Sequence, residues 1–224
     1  MMPSGASMSK KRHLDLSERF AAHLSAINES VAPNIALTLW QDIATRYSEH
    51  TRAYHTLEHL TQLFSQFDKI KDALAQPDIV ALAVYYHDVI YDPRRSDNEL
   101  KSAEYVQEKL HSCLDSKQCQ RIYELIIMTA NHNVIGADNS LDAAYLLDMD
   151  LSILGAPWMD YEQYAQAVRK EYAHVPKANY RTGRIAVLES LLAHPKLYLT
   201  EHYDQLESQA RSNIRREIIL LADS

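Results

Sequence analysis

Apolar residues recur along most of this chain at the three- and four-residue steps of an amphipathic helix. Phe20, Leu24 and Ile27 form such a stripe over residues 17–29, with Ser17 placed to cap it. Pro33 restarts the chain, and Leu37, Trp40, Ile43 and Tyr47 make a second stripe. A third helix is predicted from Thr56, carrying Leu57, Leu60, Leu63, Phe64 and Phe67. Pro77 suits a first helical turn. The run DIVALAVYYHDVIYD after it reads as one helix, apolar enough to be buried on most sides. Asp92-Pro93 stops that helix, and Ser96 or Asp97 caps the next, which runs to about Cys113. Further helices are predicted from Ser116 to about His132 and from Ser140 to about Gly155, separated by the turn-rich NHNVIGADNS. Three more follow at roughly 160–174, 177–193 and 199–222, punctuated by Pro176 and Pro195.

Alternation at period two never runs long enough for a strand, and no internal repeat is present. Residues 1–13 are polar and read as a flexible N-terminal tail. Residues 14–224 read as one all-α domain, a bundle of about nine or ten helices without a flexible linker.

Composition narrows the function classes. Across 224 residues, 23 Lys plus Arg stand against 30 Asp plus Glu, a net charge of −7. That balance excludes a protein built mainly to hold nucleic acid by neutralising its phosphates. The four glycines, Gly5, Gly136, Gly155 and Gly183, are scattered, which rules out a P-loop or a G-x-G-x-x-G turn. Cys113 and Cys119 form neither a disulfide framework nor a zinc knuckle and read as reduced thiols. No apolar run approaches the roughly 18 residues of a membrane span, and the polar start lacks a signal core. The expectation is a cytoplasmic protein with no membrane or stable nucleic-acid partner, its homo-oligomeric state open. Fourteen tyrosines against three phenylalanines imply a core whose buried hydroxyls find partners.

Three segments place metal-type ligands where apolar residues would be expected. In RAYHTLEHL, His55 and His59 are four apart and would share a helical face. In AVYYHDVIYD, His87 and Asp88 are neighbours in a stretch too apolar to be exposed. A buried ionised aspartate costs several kcal/mol unless it is paired, hydrogen-bonded or bound to a cation. In LLDMDLSILG, Asp148 and Asp150 are embedded among apolar residues. Two residues apart on a helix they point about 200° apart, so only one can serve a shared ion. The other caps a helix or bonds a neighbour.

Jointly these segments, spanning residues 52–155, resemble the HD superfamily of metal-dependent phosphohydrolases. That family carries a His, a later His-Asp doublet and a final Asp on separate helices of an all-α bundle. The resemblance implies His59, His87, Asp88 and Asp150 as metal ligands, with Asp148 as the alternative to Asp150. The first segment is also similar to the YHNxxHAxDV box of cyclic-nucleotide phosphodiesterases, through Tyr54, His55 and His59. Thr56, Leu60 and Gln62 depart from it at the Asn, Ala and Asp positions, so cyclic-nucleotide specificity does not carry over. Asp150-Leu151-Ser152 resembles the Asp-Ile-Ser around those enzymes' last ligand, which favours Asp150. The chain as a whole resembles small bacterial proteins identified only as HD-type phosphohydrolases.

The implied chemistry is hydrolysis of a phosphate ester or anhydride, of a nucleotide by preference, with a metal-activated water. Two imidazoles and two carboxylates suit Mn²⁺, Fe²⁺, Co²⁺, Ni²⁺ or Zn²⁺ better than Mg²⁺. The matching box gives His55 the role of acid for the leaving oxygen. His132 is a candidate for a second metal or the substrate phosphate, against a plain helix-end histidine. Arg52 and Arg169, with Lys170 and Arg181, are candidate phosphate partners. Two rivals stand beside this reading: a di-iron HD-type oxygenase, and a metal-binding or interaction module without catalysis.

Overall fold

The structure is a computed structural model and describes residues 5–131, 134 and 140–223. Among them the chain forms ten α-helices and three short 3-10 segments, with no strand, the all-α architecture that the periodicity predicts. Backbone packing divides the chain into two compact units, Met1–Ala143 and Ala144–Ser224. Among the described residues no helix is long and apolar enough to cross a membrane.

In the first unit α1 (Gly5–Ile27), α2 (Pro33–Arg46), α3 (Leu57–Ile70), α4 (Pro77–Tyr86), α5 (Asn98–Leu110) and α6 (Ser116–Thr129) surround one apolar centre. That centre is α4, where every residue from Ile79 to Tyr86 is buried. A helix apolar on all sides needs neighbours on all sides, and α1, α3, α5 and α6 supply them. Tyr85 is its hub, meeting Phe20 edge-on at 5.1 Å and Phe64 at 4.5 Å, while its hydroxyl donates to Leu16 O at 2.8 Å. α1 begins twelve residues before Ser17, which therefore lies inside the helix and caps nothing. α6 starts where expected because Asp115 and Gln118 form a reciprocal capping box.

In the second unit α8 (Trp158–Glu171), α9 (Lys177–Ala193) and α10 (Glu207–Ala222) follow α7 (Ser140–Leu151), within which the division falls. The helix expected to reach Gly155 tightens to 3-10 geometry over Ser152–Gly155, and the last helix is preceded by a 3-10 segment, Glu201–Leu206. Buried Asn213 ties α10 to the first of these, donating to Leu154 O and Ala156 O at 2.8 Å each. Gly155 is required there, because a Cβ would lie 2.6 Å from the Leu206 Cβ. Some buried tyrosines do find partners: Tyr161 donates to Glu217, and Tyr198 to Leu151 O. Others, Tyr86, Tyr180 and Tyr203, have none among the described residues.

Candidate metal centre

The His-Asp doublet does not sit inside a helix, as the apolar run suggests. α4 ends at Tyr86, and His87 and Asp88 form the turn that follows. The His87 amide still completes the helical ladder to Ala83 O at 2.9 Å, but the Asp88 amide leaves it and donates to the Tyr47 hydroxyl at 3.3 Å. A helix end frees carbonyls that need donors. Here the Arg52 guanidinium supplies them, to Asp88 O at 2.7 Å and Val89 O at 2.9 Å. Its side chain is fully buried, reaches His55 O at 3.3 Å and Glu49 Oε2 at 3.4 Å, and lies over the rings of Tyr47 and Tyr91. Arg52, a candidate phosphate partner by sequence, is thus committed to the backbone on both sides of the site.

The second contributor is the start of α3. Thr56 is extended and opens the helix, so His55 lies before it and His59 within its first turn. The two histidines therefore do not share a helical face, although their rings are 5.8 Å apart. The amphipathic face of α3, with Leu60, Leu63, Phe64 and Phe67 buried, aims His59 inward.

Four side chains meet in this corner of the first unit. His59 Nε2 and His87 Nε2 are 3.3 Å apart, and Asp88 Oδ2 is 2.9 Å from His87 Nε2 and 3.8 Å from His59 Nε2. His55 Nε2 is 3.8 Å from the same oxygen, its ring 4.1 Å from that of Tyr91. His87 Nδ1 lies 2.8 Å from Val84 O. A carbonyl only accepts, so Nδ1 donates to it and the Nε2 edge of the ring faces the cluster. Donor atoms about 2.1 Å from a shared ion, at right angles, lie about 3.0 Å from one another. Two of the spacings, 2.9 and 3.3 Å, are close to that value and the third, 3.8 Å, is wider; His59 and His87 belong to a His/Asp group that could hold a metal ion. The side chains of His59 and His87 are 2% exposed, that of Asp88 13% and that of His55 19%, so the corner opens on the Asp88 and His55 side.

Asp148 and Asp150 part company. Asp148 is fully buried and its carboxylate accepts from Leu199 N, Thr200 N and the Thr200 hydroxyl at 2.6–2.8 Å. Burial raises its pKa above the ordinary value, against the pull of those donors. It bonds a neighbouring segment, one of the two roles left to the aspartate that does not serve an ion. Asp150 is half-buried near the end of α7 and belongs to the second unit.

Arg169 caps the end of α8 through Tyr172 O and Val175 O, and Lys170 and Arg181 lie with it in the second unit. His132 lies outside the described residues, as does most of the turn expected over 131–140. Sequence reasoning missed Tyr47, Tyr91 and the Val84 carbonyl as the groups in contact with Asp88, His55 and His87. Of these, only Tyr91 had a signal, its place in the chemistry-bearing stretch HDVIYD. No family model, curated protein or solved structure matches the chain.

Proposed function

We propose that this protein is a metal-dependent phosphohydrolase of the HD type, acting on a phosphate ester or anhydride of a small substrate, a nucleotide by preference. The observation that carries the reading is the convergence of His59 Nε2, His87 Nε2 and Asp88 Oδ2 at 2.9–3.8 Å in one buried corner. His59, His87 and Asp88 would hold the ion. A mixed imidazole and carboxylate set favours Mn²⁺, Fe²⁺, Co²⁺, Ni²⁺ or Zn²⁺ over Mg²⁺. Such an ion, when bound, supplies Lewis acidity toward a phosphoryl oxygen and acidifies a water nucleophile.

The chain's own residues supply the rest. The Val84 carbonyl holds His87 through Nδ1, which turns Nε2 toward the site as the atom offered to an ion. Arg52 and Tyr47 hold the Asp88 backbone in place. His55, the most exposed of the four, is steadied by Tyr91 and Tyr54 and can carry a proton at Nε2 for a departing oxygen.

The test is metal analysis of protein purified without chelators, followed by a panel of phosphomonoesters, diesters and nucleotides with Mn²⁺, Co²⁺ or Ni²⁺. The expected result is bound transition metal and turnover that a chelator removes and metal restores. Bound metal with no hydrolysis of any phosphate substrate would leave a binding module. Iron with oxygen-dependent turnover would make it an oxygenase.

A further inference from the structure

The second unit contains a cleft of about 460 Å³ between α8, the first turn of α9 and the end of α10. Trp158, Ala165, Leu220 and Leu221 give it an apolar wall. Four cations also line it, Arg169, Lys170, Lys177 and Arg181, against two acids, Glu162 and Glu217. Glu217 is already matched by Arg184, through bonds of 2.8 and 3.1 Å, and by the Tyr161 hydroxyl. The cleft is therefore cationic within a chain whose net charge is −7. Clustering cations carries a repulsive cost that a bound anion relieves.

Two further features point the same way. The Arg169 guanidinium is immobilised on Tyr172 O and Val175 O and lies 4.5 Å from the centre of the Tyr180 ring, a fixed positive charge. In addition, no side chain caps the first turn of α9, whose positive end opens here.

The body of the ligand can be specified as well. Trp158 already stacks with Tyr161 at 5.5 Å and carries the Arg216 guanidinium 3.9 Å from its ring centre. Its faces are taken, which disfavours an intercalated base or other flat ring. We propose that this cleft binds a single-chain organic anion, its aliphatic body against Ala165, Leu220 and Leu221 and its carboxylate or phosphate head at Lys170, Arg181 and the first turn of α9. The site does not depend on the metal centre of the first unit.

Calorimetric titration of the full chain with decanoate, decyl phosphate and decanol, all below micelle formation, tests this. The two anions should bind with one-to-one stoichiometry, at least about tenfold more tightly than decanol; their relative affinities tell carboxylate from phosphate. The double variant Lys170→Glu/Arg181→Glu, changed at one exposed and one half-buried position, should lose about tenfold for the anions and nothing for decanol. Equal affinity for decanol and the anions would overturn the proposal. Absence of binding overturns it too, including the case where light scattering finds a dimer covering the cleft.

Discussion

Arg52→Met keeps a long apolar stem and removes the donors that hold the turn after α4. Wild-type Arg52 makes two short bonds from a fully buried cation, 2.7 Å to Asp88 O and 2.9 Å to Val89 O. Bonds from a charged donor contribute about 1.5–3 kcal/mol each, and an orphaned buried carbonyl costs about 1–3 kcal/mol. The two accounts describe the same loss, which comes to about 3–5 kcal/mol. Typical domain stability is about 5–15 kcal/mol, so the variant should fold with a clearly lower urea midpoint. Because the same guanidinium joins the His55 carbonyl to the Asp88 turn, metal affinity should fall as well, by the roughly 10–100-fold usual for groups that orient ligands. Arg52→Lys, with one compact head able to serve one carbonyl, should recover part of both. The assays are urea denaturation and Mn²⁺ or Zn²⁺ titration at a temperature where each variant is folded. Wild-type metal affinity in a destabilised Arg52→Met would make Arg52 a fold staple with no hold on the site. Unchanged stability and affinity with a raised KM would instead return it to the phosphate role that its sequence context allows.

Asp88→Ala should abolish metal binding and hydrolysis together, and full metal stoichiometry in it would exclude Asp88 as a ligand. His55→Ala should keep its metal and turn over about 10²–10⁴ more slowly; the defect should shrink on p-nitrophenyl esters, and an equal loss on all leaving groups would refute the acid role. Asp148→Ala should cost about 3–5 kcal/mol by stranding three donors while sparing metal affinity. Burial raises the Asp148 pKa, so the folded state holds its proton more tightly than the unfolded chain. Between the unfolded value of about 3.9 and the raised one, this group's contribution to stability therefore grows as pH falls. The Asp148→Ala penalty, read by denaturation at several pH values, should widen toward acid; a penalty that narrows would refute the assignment.

Periodicity carried the architecture because each helix buries a continuous apolar stripe. Proline and cap positions marked several of its starts, at Pro33, Pro77 and Ser116. What the sequence could not show is where a helix ends when its apolar run continues. Val89 is as buried as Val84, so nothing in hydropathy marks Tyr86 as the last helical residue. The break depends on Tyr47 and Arg52, about forty residues earlier, which compete for the backbone of the turn. The same holds for Asp148 and Asp150: the spacing says that they diverge, but the partner of Asp148 lies fifty residues on, at Leu199 and Thr200. Arg52 looked like any phosphate-binding arginine because a guanidinium's destination is a tertiary fact.

The helix break is also what lets two adjacent residues serve one point. Successive side chains on a continuous α-helix diverge by about 100° around the axis. A His87-Asp88 pair within such a helix would offer one ligand inward and turn the other aside. Leaving the ladder at Asp88 brings its Oδ2 to 2.9 Å from His87 Nε2. Tyr47 draws the Asp88 amide out of register, and burial pushes its hydroxyl pKa far up, so the phenol stays neutral. Tyr47→Phe should therefore cost only about 0.5–1.5 kcal/mol of stability, the net worth of one hydrogen bond. Metal affinity should fall more than that bond alone predicts, because the turn regains freedom to continue the helix. Arg52→Met acts on the same few backbone atoms, so the two changes should not add. In the Tyr47→Phe background the further loss of metal affinity should be smaller than in the wild type, a coupling of about 0.5 kcal/mol or more. Strictly additive losses in that double-mutant cycle would mean that Tyr47 and Arg52 do not hold a common turn, and the account of the doublet given by the helix break would fall.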